Sequence, residues 1–208
     1  MINIINIKNG LPISVIVPLQ EKRKDFFFNY TLPLIKANNP SEIIINTNDG
    51  MAGNKRNQAF DKSTCPYIFC CDDDILLPEC FLGTLYNNIK NDKECGYVYT
   101  GYNGIVLNSD TNNLKNNFVI ETIDFNQELL KSCNYISTMS LMKRNIFPYF
   151  DEMIPRFLDY DLYMNLLSKG IIGKAVHGIK FYAFFLDDGI TSINNPFSYS
   201  EIQSKYKL

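Results

Sequence analysis

Short hydrophobic runs rich in β-branched residues alternate with helical segments through the first hundred residues. Such runs predict buried strands, and they lie at residues 13–18, 42–47, 67–71 and 96–101. Helices are predicted between them, at residues 25–37, 54–62 and 78–89. Pro33 lies inside the first of these and predicts a kink or a late start. This alternation predicts an α/β fold with a mostly parallel central sheet and helices on both faces.

The second half of the chain has a less regular pattern. The polar, Asn-rich stretch 103–117 predicts a hairpin or a loop, and residues 140–150 predict a strand that runs into a short helix. Residues 159–169 have the spacing of an amphipathic helix ended by a glycine, and residues 174–185 predict a pair of strands. We expect the tail after Asn194 to be irregular.

Composition narrows the class of protein. The chain has 208 residues, of which 46% are hydrophobic, and its 20 basic and 22 acidic residues give a net charge of −2. That balance argues against nucleic acid as a partner. Six cysteines without a C-x-x-C pair, beside a single histidine, argue against a zinc site and indicate free thiols in a reducing compartment. With neither a signal peptide nor a transmembrane segment in the pattern, we expect a cytoplasmic protein.

Polar segments follow three of the predicted strands, at residues 18–23, 47–50 and 72–74. The carboxyl ends of parallel strands meet at one edge of a sheet, where α/β proteins bind their ligands. We therefore expect these three segments to line one crevice.

The third of these segments is Asp72-Asp73-Asp74. Consecutive carboxylates repel one another unless a cation lies between them, and carboxylate oxygens suit Mg²⁺ or Mn²⁺. Alternation along a strand would place Asp72 and Asp74 on one side and Asp73 on the other. The alternative is a solvated acidic turn, but the buried run before it and its place at the crevice favour a ligand site.

Six segments, in order along the chain, resemble those of one enzyme family. They are residues 13–18, residues 42–50, Lys55-Arg56-Asn57-Gln58-Ala59, residues 69–78 around the aspartates, Phe150-Asp151-Glu152, and Leu158-Asp159-Tyr160-Asp161-Leu162. Together they resemble nucleotide-sugar glycosyltransferases of the GT-A fold (a Rossmann-like nucleotide-diphospho-sugar transferase fold), closest to family 2. The resemblance implies a single catalytic domain over residues 1–208. Its nucleotide-binding half would end near residue 101, and its acceptor and catalytic half would follow.

The resemblance also implies a reaction and a set of ligands. A sugar would move from a UDP-sugar donor to a hydroxyl of a glycan or glycoprotein acceptor, with Mn²⁺ or Mg²⁺ as cofactor. Asp74 and Asp72 would bind the metal, and the residues implied in nucleotide-sugar binding are Pro18, Gln20, Glu21, Asn48, Asp49, Arg56, Asp72 and Asp73. Three aspartates beside one arginine would make the crevice acidic, so that a diphosphate would need a divalent cation to bind.

Asp159 matches the family position that acts as general base in inverting members. The base accepts the proton of the acceptor hydroxyl as this attacks the anomeric carbon. Asp159 would lie at a helix N-terminus, where the dipole favours a carboxylate. The alternative role is a helix cap, which is compatible with catalysis.

Two departures from the family pattern leave the mechanism open. Leu158 stands where the family has a glutamate, and no histidine follows near the end of the domain, where Asp187 or Asp188 would have to replace it as a metal ligand. His177 is interpreted as structural. A retaining transferase and a nucleotide-sugar or glycan-binding module without turnover therefore remain alternatives. An aspartate-nucleophile phosphatase is disfavoured, because its nucleophile follows the first strand of the sheet and not the third.

Overall fold

The computed structural model describes residues 1–111, 113–186 and 199–206. The strands in these ranges are β1 (Ile2–Asn6), β2 (Leu11–Pro18), β3 (Pro40–Asn46), β4 (Tyr67–Cys70), β5 (Ile75–Leu76), β6 (Cys95–Tyr99), β7 (Tyr102–Leu107), β8 (Leu114–Ile120), β9 (Ser140–Lys143), β10 (Ile172–Ala175) and β11 (Phe181–Leu186). The α-helices are α1 (Lys24–Phe26), α2 (Leu32–Ala37), α3 (Ala52–Lys62), α4 (Phe81–Ile89), α5 (Gln127–Ser132), α6 (Leu158–Ser168) and α7 (Tyr199–Tyr206). Within these ranges no helix has the length and apolar character needed to cross a bilayer.

The central sheet has seven strands in the order β1-β3-β2-β4-β9-β6-β10. Strand β2 pairs in parallel with both β3 and β4, and β10 pairs in parallel with β6. Only β1 and β9 run antiparallel to their neighbours in this sheet. The predicted α/β fold with a mostly parallel sheet is therefore confirmed. Strand β1 was not predicted, and it lies at the edge of the sheet with no fully buried residue.

Hydrophobic cores lie on both faces of this sheet. One contains residues of α2 and α4, and the other contains residues of α3, α5, α6 and α7. Consecutive side chains at the end of β4 point into different cores. Cys70 lies in the core that contains residues of α3, and Cys71 lies in the core that contains residues of α2 and α4. All six cysteines are free thiols, and four of them are buried.

The first predicted helix is distorted at the point where Pro33 enters it. After α1 the chain forms a π-helical turn over Phe27–Thr31, and only then α2, with Pro33 in its first turn. Pro33 lacks the amide hydrogen that would bond to the preceding turn, and its ring crowds that turn, so the wider π spacing directly before it relieves the clash. The predicted kink is thus a π turn before the proline. Helix α4 begins at Phe81, later than the predicted Pro78.

A second, four-stranded sheet has the order β5-β11-β7-β8. The Asn-rich stretch forms the β7–β8 hairpin, one of the two structures predicted for it. Strands were also predicted correctly within residues 174–185, but they are not a pair. Strand β10 joins the central sheet and β11 joins the second sheet beside β7.

Helix α7 contradicts the prediction of an irregular tail. Ile202 is buried in the core beside α6, and Gln203 donates a hydrogen bond of 2.6 Å to the carbonyl of Lys131. Lys205 Nζ lies 2.7 Å from Asp151 Oδ2 and 2.8 Å from the buried Asp161 Oδ1. These long-range contacts stabilise a segment whose local pattern is too polar to predict a helix.

Replacing Lys205 with methionine should destabilise the protein by about 2 kcal/mol, because it leaves the buried Asp161 carboxylate without its cation. Chemical unfolding of the two proteins in urea would measure the difference. A matched control is Lys180→Met, which removes an ion pair with the exposed Glu121 and should cost less than about 0.5 kcal/mol. Equal effects of the two substitutions would contradict a stabilising role for the α6–α7 contact.

Candidate functional site

The carboxyl ends of β2, β3 and β4 surround a crevice of about 610 Å³. The three polar segments expected there all contribute to its lining, together with the N-terminal half of α3, the start of α6 and the end of β11. The lining includes Pro18, Gln20, Glu21, Lys22, Arg23, Asp49, Lys55, Arg56, Asp72, Asp73, Asp74, Arg156, Phe157, Leu158 and Asp159.

The three aspartates do not alternate as a strand would place them. Strand β4 ends at Cys70, and Asp73 and Asp74 form a turn before β5. Asp72 pairs with Arg56 on one side, whereas Asp73 and Asp74 both pair with Arg23. The prediction that Asp73 faces away from its two neighbours is therefore wrong. It assumed an extended backbone through the three aspartates, but the strand ends at Cys70, two residues before Asp72.

Asp73 anchors the loop that follows β2. One carboxylate oxygen accepts the Gln20 backbone N–H at 2.7 Å, and the other lies 2.9 Å from Arg23 Nη1. Its side chain is only 3% exposed. The implied role of Asp73 in binding the donor is therefore not supported, since both of its oxygens are occupied by the protein's own donors.

Asp74 is held by the same guanidinium but lies nearer the solvent. Its Oδ2 is 2.6 Å from Arg23 Nη1, and its side chain is 18% exposed. The pKa of Asp74 is raised to about 7, chiefly by burial and also by the charges of Asp72 and Asp73, while the charge of Arg23 acts in the opposite direction. Arg23 thus occupies a position where a cation is required.

A divalent metal at Asp72 and Asp74 would have a limited set of protein ligands. Among the described residues, no group of three or more Asp, Glu, His or Cys side chains is arranged to hold a metal ion. Both carboxylates line the crevice, and Arg23 already stands in as a cation on one of them. This donor set fits Mg²⁺ or Mn²⁺ that takes its remaining ligands from water and phosphate oxygens.

Helix α3 places two buried cations beside the aspartates. Lys55 Nζ donates to the carbonyl of Leu19 at 3.0 Å, which joins α3 to the end of β2. Arg56 forms a hydrogen-bonded ion pair with Asp72, and its guanidinium lies 5.2 Å from the centre of the Phe150 ring. Arg56 is only 4% exposed, so it is not a surface arginine, and its contact in this structure is with Asp72.

The next residue of α3 joins the helix to the Phe150-Asp151-Glu152 segment. Asn57 donates to the Phe150 carbonyl at 2.9 Å and accepts the Phe150 N–H at 2.8 Å. Both Asn57 and Asn54 also donate to the Glu152 carboxylate. These contacts fix the segment that leads into α6.

Asp159 lies in the first turn of α6, as predicted, but does not cap the helix. The residue before the helix is Phe157, whose left-handed backbone (φ 60°) precedes the turn that carries Asp159. Asp159 Oδ1 accepts the Tyr160 N–H at 2.9 Å. Burial raises its pKa, although hydrogen bonds from Asn134 and Tyr160 and the charge of Arg56 act in the opposite direction. The direction of this shift is opposite to the one expected from the helix dipole, because burial is the largest effect.

The remaining predicted nucleotide contacts divide into two groups. Pro18, Gln20, Glu21 and Asp49 line the crevice. Asn48 does not line it, because its amide group donates to Gln58 at 2.6 Å and its oxygen accepts from the Met1 amino group. Of Asn48 and Asp49, therefore, only Asp49 lines the crevice.

The two predictions that concern the end of the domain have different outcomes. Asp187 and Asp188 lie outside the described residues. His177 Nε2 is 2.7 Å from Asp124 Oδ1, where both side chains are largely exposed and neither lines the crevice. This placement agrees with a structural interpretation of His177.

The sequence profile of Glycosyl transferase family 2 matches residues 30–150. This segment is more than half of the chain, and it contains β3, β4, α3 and the three aspartates. The chain belongs to glycosyl transferase family 2. The match confirms the family expected from the six segments and, with it, a domain of the glycosyltransferase class.

Solved structures of the S. aureus protein TarS share the fold of this family 2 chain. TarS 1–349 in complex with UDP-GlcNAc matches with a TM-score of 0.62 and 14% identity over 94% of this chain and 65% of TarS 1–349. TarS 1–349 in complex with UDP gives 0.57 and 11%, over 95% and 71% of the two chains. Full TarS gives 0.58 and 12%, over 95% and 43%. By the UDP-GlcNAc match the chain spans slightly less than two thirds of TarS 1–349. A search of curated proteins found no match.

The described lining of the crevice is less acidic than expected. Among the residues that the structure describes, six acidic and five basic ones line it. Of the basic residues, only Arg56 was predicted individually as a ligand contact. Lys22 and Arg23 belong to the segment 18–23 that was expected at the crevice, and Lys55 precedes Arg56 in a segment that resembles the family, but no role was predicted for any of the three. Arg156 was not predicted.

Replacing Asp74 with asparagine should stabilise the metal-free protein at about pH 8. A carboxyl group whose folded pKa exceeds its unfolded value favours the folded state at low pH, and this contribution is lost as pH rises from about 4 through about 7. Asparagine is uncharged throughout, so Asp74→Asn should raise Tm by about 2–4 °C at about pH 8 and by much less at about pH 5.

Thermal unfolding in the presence of a chelator would measure this difference, with the exposed Asp110→Asn as control. A lower Tm for Asp74→Asn at about pH 8 would show instead that the ion pair with Arg23 outweighs the cost of burial.

Proposed function

We propose that this glycosyltransferase moves a sugar from a UDP-sugar to a hydroxyl of a glycan or glycoprotein acceptor, with inversion at the anomeric carbon. The observation that carries the proposal is the convergence of Asp49, Asp72, Asp74 and Asp159 on one crevice. The family resemblance implies that Asp49 contacts the nucleobase, that Asp72 and Asp74 bind the metal, and that Asp159 takes the proton of the acceptor hydroxyl. The UDP and UDP-GlcNAc complexes of TarS support UDP as the nucleotide.

The loop after β2 and the turn after β3 would hold the nucleotide. Pro18, Gln20 and Glu21 line one side of the crevice, and Asp49 lines it at the end of β3. The Asp49 carboxylate would accept a hydrogen bond from the uracil edge. Asp73 would act indirectly, because it fixes the Gln20 backbone and hence the loop.

Asp74 and Asp72 would hold Mn²⁺ or Mg²⁺. The bound ion would supply Lewis-acid stabilisation of the charge that develops on the diphosphate leaving group. Arg56 neutralises Asp72 from its buried side, and this leaves the crevice side of that carboxylate for a ligand. The five basic residues of the lining would share in binding the diphosphate.

Asp159 would take the proton of the acceptor hydroxyl. In that step the hydroxyl oxygen forms a bond to the anomeric carbon, and the bond from this carbon to the diphosphate oxygen breaks. Burial raises the pKa of Asp159, which makes the carboxylate a stronger base than a solvated aspartate. Hydrogen bonds from Asn134 and the Tyr160 N–H orient it.

Binding of UDP should depend on both the divalent ion and Asp74. Calorimetric titration of the wild-type protein should show at least about tenfold tighter binding of UDP with Mn²⁺ than with a chelator, because the ion bridges two anionic groups. Asp74→Ala should lose this gain, whereas the exposed Asp110→Ala should keep it. An affinity for UDP that is unchanged both by the metal and by the substitution at Asp74 would exclude the proposed metal site.

Asp159→Asn should separate binding from transfer. Asparagine keeps an oxygen for the Tyr160 N–H, so donor affinity should stay within about twofold, while the rate of transfer should fall about 10²- to 10⁴-fold. The measurements are UDP titration and a transfer assay with the donor that stabilises the protein most. Asp124→Asn, at an exposed site away from the crevice, serves as control.

The acid limb of the wild-type rate profile should lie above the ordinary range of an aspartate, because burial raises the pKa of Asp159. Undiminished turnover by Asp159→Asn would remove Asp159 as base and favour a retaining mechanism. Donor binding without transfer in the wild-type protein would favour the binding-module alternative.

A further inference from the structure

Arg23 holds an unusual place between the loop after β2 and the aspartates after β4. A single nitrogen, Nη1, lies 2.9 Å from Asp73 Oδ1 and 2.6 Å from Asp74 Oδ2. The residue belongs to a 3₁₀ turn, Glu21–Arg23, that directly follows the Gln20 amide bound to Asp73. The guanidinium is therefore tethered at the crevice wall and bridges two carboxylates.

The two contacts of Arg23 differ in how easily they can be exchanged. Asp73 is buried, and its second oxygen is already bound to the Gln20 backbone, so its pair with Arg23 is part of the fold. Asp74 has greater solvent access and borders the crevice. A ligand that enters the crevice can compete for Asp74 without disturbing Asp73.

We infer that Arg23 is a tethered counter-cation that competes with the divalent metal for Asp74. This inference rests on the proposed metal site. Arg23 Nη1 lies 2.6 Å from Asp74 Oδ2, so a divalent ion on this carboxylate would be repelled by the adjacent guanidinium charge unless that group moves away. The donor-free protein should therefore bind the metal weakly. Entry of the metal with a diphosphate would release Arg23 from Asp74 while Asp73 retains it, and its free N–H groups would face the diphosphate.

Binding of Mn²⁺ to the protein without any nucleotide tests this competition directly. Free Mn²⁺ can be counted by electron paramagnetic resonance during a titration. Arg23→Met should bind Mn²⁺ at least about tenfold more tightly than wild type, because the competing cation is gone. Asp74→Asn introduced into Arg23→Met should abolish the gain. Lys180→Met removes the same charge away from the crevice, where Lys180 pairs with the exposed Glu121, and should bind Mn²⁺ as wild type does.

The outcomes separate this inference from the proposed function. Equal Mn²⁺ affinity of folded Arg23→Met and wild type, with Mn²⁺-dependent UDP binding intact, would overturn the role of Arg23 alone. Absence of Mn²⁺ binding to either protein, with or without UDP, would overturn both proposals. If Arg23→Met does not fold, Arg23→Lys takes its place, because a single ammonium on a shorter side chain pairs with Asp73 but bridges poorly to Asp74. It should bind Mn²⁺ more tightly than wild type, and an unchanged affinity would again overturn the inference.

Discussion

Three consecutive carboxylates at the end of β4 are the constraint around which this crevice is organised. Their mutual repulsion in a partly buried turn has to be offset by cations. The chain supplies these from two separate elements, since Arg56 comes from α3 and Arg23 from the turn after β2. The ion pairs that neutralise the aspartates therefore also hold β2, α3 and β4 together. The charges that would serve ligand binding thus also determine how the crevice assembles.

Helix α3 extends this organisation to the second half of the chain. Its consecutive polar residues 54–57 contact Glu152, the Leu19 carbonyl, Asp72 and the Phe150 backbone in turn. Gly53 allows the helix to approach closely, because a Cβ there would meet Phe150 and Leu158 at 3.3 and 3.4 Å. The segments that resemble the family are thus joined by direct contacts. A change in α3 would move the metal-side aspartates and the start of α6 together.

Local sequence predicted the parts of the fold that local physics determines. Buried β-branched runs identified β2, β3, β4 and β6, and helical spacing identified α6. The misses all depend on distant partners. Helix α7 forms on contacts with α5 and α6, Arg23 becomes a site residue only through Asp73 and Asp74, and Asp159 loses solvent only when the crevice forms. No short stretch of sequence contains those partners. A sequence motif also does not show which of its carboxylates are already paired within the folded protein.

The formal charge of the crevice explains why a donor and a divalent cation would suit it as a pair. Within residues 1–111, 113–186 and 199–206, its lining carries five basic and six acidic residues, one charge below neutrality. A dianionic donor alone would make it more negative by two charges, whereas the same donor with one divalent cation leaves the charge unchanged. The ion pairs Asp72–Arg56 and Asp74–Arg23 differ in how easily they would separate when the donor and the cation bind. The Arg56 side chain is only 5% exposed, so parting it from Asp72 would leave a buried cation unpaired, whereas Arg23 is 23% exposed and would keep Asp73 when it leaves Asp74. We therefore expect the exchange of cations to occur at Asp74, so that the contacts that hold the fold together need not break when the ligand binds.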